Sequence, residues 1–137
     1  MEKDEDQVNI SFRLLESAPS MAIVTAKGYI QSPEALHLRE TLEHVEAKKV
    51  KRVVLDMSSV PYISSSGIGV IVGYCKSKNE CEGCGAVAVI GLARSVQNVM
   101  HTLGLSSLIP QFENVLSAIN AMGIEVDSNH IGQICED

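Results

Sequence analysis

Two segments of this chain, Val53-Val54-Leu55-Asp56-Met57 and Val87-Ala88-Val89-Ile90, are apolar almost without a break, and each is only long enough for one strand. A strand with apolar side chains in succession, rather than in alternation, is buried on both faces, which is the condition of a strand inside a parallel sheet. Parallel neighbours cannot be joined by a tight turn, so the intervening chain must cross over, usually as a helix. In that interval Ile68, Ile71, Val72 and Cys75 recur at i, i+3, i+4 and i+7 and predict a crossover helix from Ser66 to about Lys78. This strand–helix–strand unit places the chain in the α/β class.

The rest of the chain extends the unit on both sides. Val8, Ile10, Phe12 and Leu14 alternate with Asn9, Ser11 and Arg13, the pattern of a half-buried strand. Met21 to Ala26 is a second apolar run beyond Ser17-Ala18-Pro19-Ser20, placed for a hairpin or for adjacent strands. Ser32-Pro33-Glu34-Ala35 predicts a helix start with Ser32 as N-cap and Pro33 as first helical residue. That helix runs to about Lys48, with Ala35, Leu38, Leu42 and Val45 inward and His37, Arg39, Glu40, Glu43, His44 and Glu46 towards water.

A third helix is marked by Val96, Val99, Met100 and Leu103 and ended by Gly104; a short strand around Leu108-Ile109 and a last helix on Val115, Ala118, Ile119 and Met122, closed by Gly123, follow. The expectation is one domain over residues 8–123, a small mixed, mainly parallel sheet with crossover helices. A charged tail, residues 1–7, lacks apolar periodicity and reads as frayed, and residues 124–137 carry no assignable element.

Composition removes several functions. A net charge of −6, with no Trp, offers neither a basic track for phosphates nor stacking platforms for bases, so no direct nucleic-acid partner is expected. Neither an export signal nor an apolar run of membrane-spanning length is present, which makes the cytoplasm the expected location. Cys75, Cys81, Cys84 and Cys135 are then expected as thiols. Cys81-Glu82-Gly83-Cys84 lacks a second close pair for zinc and precedes a strand, where a redox motif would follow one and open a helix. His37 and His44 lie about 10 Å apart along one helix, too far for one ion. No metal and no cofactor is expected.

The information concentrates between strand Val53–Met57 and the crossover helix, in Ser58-Ser59-Val60-Pro61-Tyr62-Ile63 followed by Ser64-Ser65-Ser66-Gly67-Ile68-Gly69. One of the three serines should cap the helix. Gly67 and Gly69 each lower helix propensity by roughly 1 kcal/mol relative to Ala, which suggests that a backbone or ligand approaches closely there. Val72 stands where a dinucleotide fingerprint needs its third glycine. Ile63 and Ser64 stand where a hydrolase nucleophile elbow needs glycine before Ser65 or Ser66, and His101 or His130 would be an unsupported base. A hydrolytic or redox enzyme is therefore not expected. Beside the core stripe, Ser66, Gly69, Val70, Gly73, Tyr74 and Ser77 form a small, nearly uncharged helix face, suited to a flat protein–protein contact; packing under the C-terminal helix is the alternative.

These residues resemble the STAS domains, and among them the bacterial anti-sigma factor antagonists. A buried strand ending in Asp56, then Val60, Tyr62, Ile63, Ser65, Ser66, Gly67, Ile68 and Gly69, and later Gly104-Leu105, is similar to the family pattern, and the element order agrees over about residues 8 to 122. Ser64 and Gln31 stand where the family often has acidic residues.

The resemblance implies that Ser65, with Ser64 and Ser66 as alternatives, is phosphorylated by an ATP-binding serine kinase that is also an anti-sigma factor, and dephosphorylated by a serine phosphatase. It further implies that the unphosphorylated form binds that partner, releasing a sigma factor for transcription, through Gln31, Ser64, Ser66, Gly67, Gly69, Val70, Gly73 and Tyr74. Non-switching scaffold and transporter-associated STAS modules are the alternative implied by the same likeness.

Overall fold

The computed structural model describes residues 9–15, 21–80 and 85–121. The terminal segments 1–8 and 122–137, residues 16–20 and Cys81-Glu82-Gly83-Cys84 lie outside the described residues.

Alternation over Asn9–Leu15 produces β1, which pairs antiparallel with β2 (Met21–Lys27), Asn9 opposite Lys27 and Leu15 opposite Met21. β2 then runs parallel to β3 (Arg52–Ser59), β3 to β4 (Ala86–Ile90) and β4 to the two-residue β5 (Gln111–Phe112), in spatial order β1-β2-β3-β4-β5. The parallel connections are made by α1 (Ser32–Ala47), α2 (Ser65–Glu80) and α3 (Arg94–Thr102). α4 (Val115–Ala121) follows β5. The mixed, mainly parallel sheet read from the sequence is the architecture found.

The unbroken apolar character of β3 and β4 has the expected cause. Val53, Leu55, Met57, Val87 and Val89 enter one core with Leu38, Leu42, Ile68, Ile71, Val96 and Met100 of the first three helices. Val54, Ala88 and Ile90 face the other way and pack with Val115, Ala118 and Ile119 of α4. Helices thus cover both faces, and side chains buried at full density on both sides leave little tolerance for changes of volume.

Three boundaries differ from the sequence reading, the first being α2, which starts at Ser65 and not Ser66. Gln31, not Ser32, is the N-cap of α1: its carbonyl accepts from the Ala35 N–H (2.8 Å), and its own N–H donates to Glu34 Oε1 (3.0 Å). Ser32 is the first helical residue, which moves Pro33 one place inward. The strand expected around Leu108-Ile109 is instead a 3-10 turn, Ser106–Leu108, with the strand displaced to Gln111–Phe112. Pro110 has no N–H to donate, but its carbonyl accepts from Val89 N–H (2.8 Å), so pairing with β4 begins there.

Beyond the ends of β2 and β3 the two chains remain stitched together. Gly28 N–H donates to Ser59 O (3.0 Å), Ile30 N–H to Tyr62 O (2.9 Å) and Ser64 N–H to Ile30 O (2.7 Å), making Ile30 and Ile63 a parallel bridge. Gly28, at φ 96°, makes the turn that permits this. Gly67 sits over the bridge: a Cβ there would lie 2.5 Å from Ile63 Cγ2 and 2.9 Å from Ile30 Cγ2. Both neighbours are buried β-branched side chains with little rotameric freedom. At the far end, the Lys78 ammonium, 4% exposed, donates to Glu46 Oε2 (3.0 Å) and Oε1 (3.2 Å) and to Val50 O (2.9 Å). Tyr74 OH donates to the same carboxylate at 2.5 Å. The helix pair α1–α2 is therefore fixed by a tight apolar contact at one end and a charge-assisted network at the other.

Two stability outcomes follow. Gly67→Ala should lower the unfolding free energy by about 1–3 kcal/mol through overpacking, whereas Gly69→Ala, where a Cβ meets nothing within 4 Å, should be neutral or raise it by up to about 1 kcal/mol. Lys78→Ala should cost about 3 kcal/mol, since it removes both a buried cation and its packed stem, and Lys78→Met clearly less, because Glu46 still reaches water. Urea midpoints of the four variants check both statements; equal effects of the two glycine changes would contradict the first.

Candidate functional site

The starts of α1 and α2 both follow parallel strands, so both lie at the carboxyl edge of the sheet, where α/β folds present their functional loops. The stitching between the two turns brings them into contact: Ser32 Oγ and Ser66 Oγ are 3.3 Å apart. Neither composition nor spacing shows that contact, because it joins residues 34 positions apart.

The three serines have different chemistry. Ser64 is half-buried and caps α2, its Oγ accepting from Gly67 N–H (3.2 Å) and its carbonyl from Ile68 N–H (2.9 Å). Ser66 is exposed and shares its hydroxyl with Ser32. Ser65 is exposed at the first position of α2, and its hydroxyl has no hydrogen-bond partner among the described residues. Asp56, at the end of β3, turns its carboxylate onto Ser58 N–H (3.0 Å) and so braces the loop that leads to the site.

The two stitched turns that lead into α1 and α2 carry an exposed aromatic pair. Tyr29 and Tyr62, 48% and 47% exposed, form a tilted pair with ring centroids 6.3 Å apart. Tyr29 was not among the site residues expected from the sequence; the stitched turns place it there. Gln31 is exposed beside Ser32. Gly69 and Gly73 are exposed and open, so nothing among the described residues uses their missing side chains.

The helix face expected to be flat is instead one wall of a groove. Val70 and Tyr74 are half-buried and pack against the core, and with Leu42 and Gly73 they line a groove of about 420 Å³ between α1 and α2 whose α1 wall also carries Arg39, Glu43 and Glu46. Burial, and then the Glu46 carboxylate that accepts from it, push the Tyr74 phenol well above its ordinary range, so it remains protonated.

Of the other reactive groups, Cys75 and His101 are among the described residues. Cys75 is buried, and desolvation pushes its thiol up to about 12; it is a core side chain, not a nucleophile. His101 is exposed on α3 and makes no hydrogen bond to Ser64, Ser65 or Ser66. Cys81, Cys84, Cys135 and His130 lie outside the described residues. Among the described residues no three His, Cys, Asp or Glu side chains come together to hold a metal, and no helix is long and apolar enough to cross a membrane.

Comparison with known proteins is consistent with this arrangement. The chain is 27% identical over 113 residues to the anti-sigma-B factor antagonist of Listeria monocytogenes, covering 82% of this chain and 96% of that protein. Its fold matches that of an anti-sigma factor antagonist from Mycobacterium paratuberculosis at TM-score 0.72 and 17% identity, over 88% of this chain and 98% of the other. It also matches the anti-sigma factor antagonist SpoIIAA in its unphosphorylated form, at TM-score 0.65 and 14% identity, over 85% and 100% of the two chains. The family model of the STAS domain matches residues 13–118, which span the stitched turns, the Ser64 cap and the glycines of α2. Sequence match and sheet order agree, and the chain belongs to the STAS domain family.

Proposed function

We propose that this chain is an anti-sigma factor antagonist, a binding module without catalysis of its own, and that Ser65 is its switch. The observation that carries the reading is the division of labour in the serine triplet: Ser64 is committed to the helix cap, Ser66 to Ser32, and Ser65 alone offers an exposed, uncommitted hydroxyl.

In this reading a serine kinase of the ATP-binding type, itself the anti-sigma factor, binds the unmodified protein and gives up its sigma factor. It then transfers the γ-phosphoryl group of ATP to Ser65 Oγ, with ADP and the hydroxyl proton leaving. The phosphoserine carries about −1.5 to −2 charges. At the first position of α2 that charge faces the positive end of the helix dipole, so the fold accommodates it. The neutral surface formed by Gln31, Ser66, Gly69, Val70, Gly73 and Tyr74 loses its fit to the partner. A serine phosphatase resets the switch. The named functions of the relatives from Listeria and Mycobacterium support the assignment of role.

The test uses purified protein and the ATP-binding serine-kinase anti-sigma factors encoded in the genome of origin. Ser65→Ala should take up no phosphate while binding with near wild-type affinity, and Ser65→Asp should bind at least about tenfold more weakly, in keeping with a charge set into a desolvated contact. Ser64→Ala should lower stability by about 1 kcal/mol through loss of the cap and still be phosphorylated. Wild-type levels of phosphate on Ser65→Ala would remove Ser65 as the acceptor. Stable partner binding with no phosphate on Ser64, Ser65 or Ser66 would favour a non-switching scaffold.

A further inference from the structure

Building on that reading, we infer that the partner meets Ser65 through an uncharged surface anchored on Tyr29 and Tyr62, and not through ion pairs. The nineteen positions from Met57 through Cys75 contain no Asp, Glu, Lys, Arg or His, in a chain that is 20% charged. Part of that stretch is exposed helix and loop, namely Pro61, Tyr62, Ser65, Ser66, Gly69 and Gly73, where solvation alone would ordinarily favour charge. The opposing turn, Gly28 through Pro33, is uncharged as well.

The charges on the flanking helix surfaces lie outside the two turns, and several are turned to partners of their own chain. Glu34 is turned back onto the Gln31 N–H at 3.0 Å, Arg39 pairs with Glu43 at 3.5 Å, and Lys76 with Glu80 at 3.8 Å. A partner charge brought down between the two turns would be stripped of water with no counter-charge waiting, at a cost of several kcal/mol. An apolar and hydrogen-bonding partner surface meets no such penalty.

The tyrosines supply the anchoring area. Each is nearly half exposed; the Tyr62 carbonyl accepts from Ile30 N–H, and Tyr29 sits between Gly28 and Ile30, whose N–H groups are both bonded across to the other turn. Ordering them on binding therefore costs little entropy, which is the property of tyrosine at energetic hot spots. Their mutual contact also orients the rings before any partner arrives.

The experiment measures affinity for the same purified serine-kinase anti-sigma factors across about 50 to 500 mM NaCl, with Tyr29→Ala, Tyr62→Ala, Tyr62→Phe and Gln31→Asp alongside the wild type. The expected results are a wild-type Kd that changes by less than about threefold over the salt range, and at least about tenfold weakening by either alanine. Tyr62→Phe should stay near wild type. Gln31→Asp should weaken binding by a similar tenfold, although Asp is a good N-cap and leaves α1 intact. Thermal midpoints of the variants should stay close to wild type, because the altered side chains are exposed.

Steep salt dependence, tighter binding by Gln31→Asp, or unchanged affinity in both alanine variants would overturn the inference and leave the antagonist role standing. No binding of the unphosphorylated wild type to any of these kinases would overturn the role itself, and the inference with it.

Discussion

The bridge between Ile30 and Ile63, with Gly67 resting on it, is the contact on which the site depends. Three backbone hydrogen bonds carry the β2–β3 pairing past the formal ends of the strands, so two helices begin from one rigid platform and not from two independent loops. Everything at the carboxyl edge inherits this. The Ser32–Ser66 contact, the tyrosine pair and the outward aim of Ser65 exist because the two turns cannot move apart without breaking a ladder. A methyl group on Gly67 would lift α2 from that platform, which makes the glycine a steric requirement of the site and not a flexible joint.

Seen this way, three glycines of one short stretch have unrelated purposes. Gly67 is compelled by the inside of the molecule, and Gly69 and Gly73 by nothing inside it. Their cost in helix propensity is uncompensated among the described residues, and the proposed partner contact would supply the reason for keeping them. The groove beside them is walled by Tyr74, whose hydroxyl is held by Glu46, which in turn holds Lys78. The network that stiffens the far end of the helix pair thereby also fixes the shape of this groove.

Much of the architecture was legible because local pattern and global fold agree. The unbroken apolar runs of β3 and β4 and the 3.6-residue stripe of α2 depend on nothing distant. The errors fell where competition among neighbours decides the outcome. Gln31 took the cap from Ser32 because Glu34 reaches back to its N–H, and Pro110 shifted the last strand because its carbonyl, but no N–H, could pair with β4. Within Ser64-Ser65-Ser66 the sequence required one cap without saying which; the answer came from Ile30, whose carbonyl holds Ser64 N–H. The burial of Lys78 and the meeting of Tyr29 with Tyr62 were illegible, since each needs the register of two strands and the packing of two helices before it can be seen.

The placement of the cap on Ser64 has a consequence for protein turnover. The residue that secures the start of α2 is one position removed from the residue that is free to be modified, so the hydrogen bonds that hold the fold do not pass through the Ser65 hydroxyl. Loading that hydroxyl with an anion leaves the folded fraction undiminished. Cells degrade proteins in proportion to the time they spend unfolded. Under the proposed switch, a phosphorylated chain would be a durable reserve, returned to service by removal of one group without new synthesis.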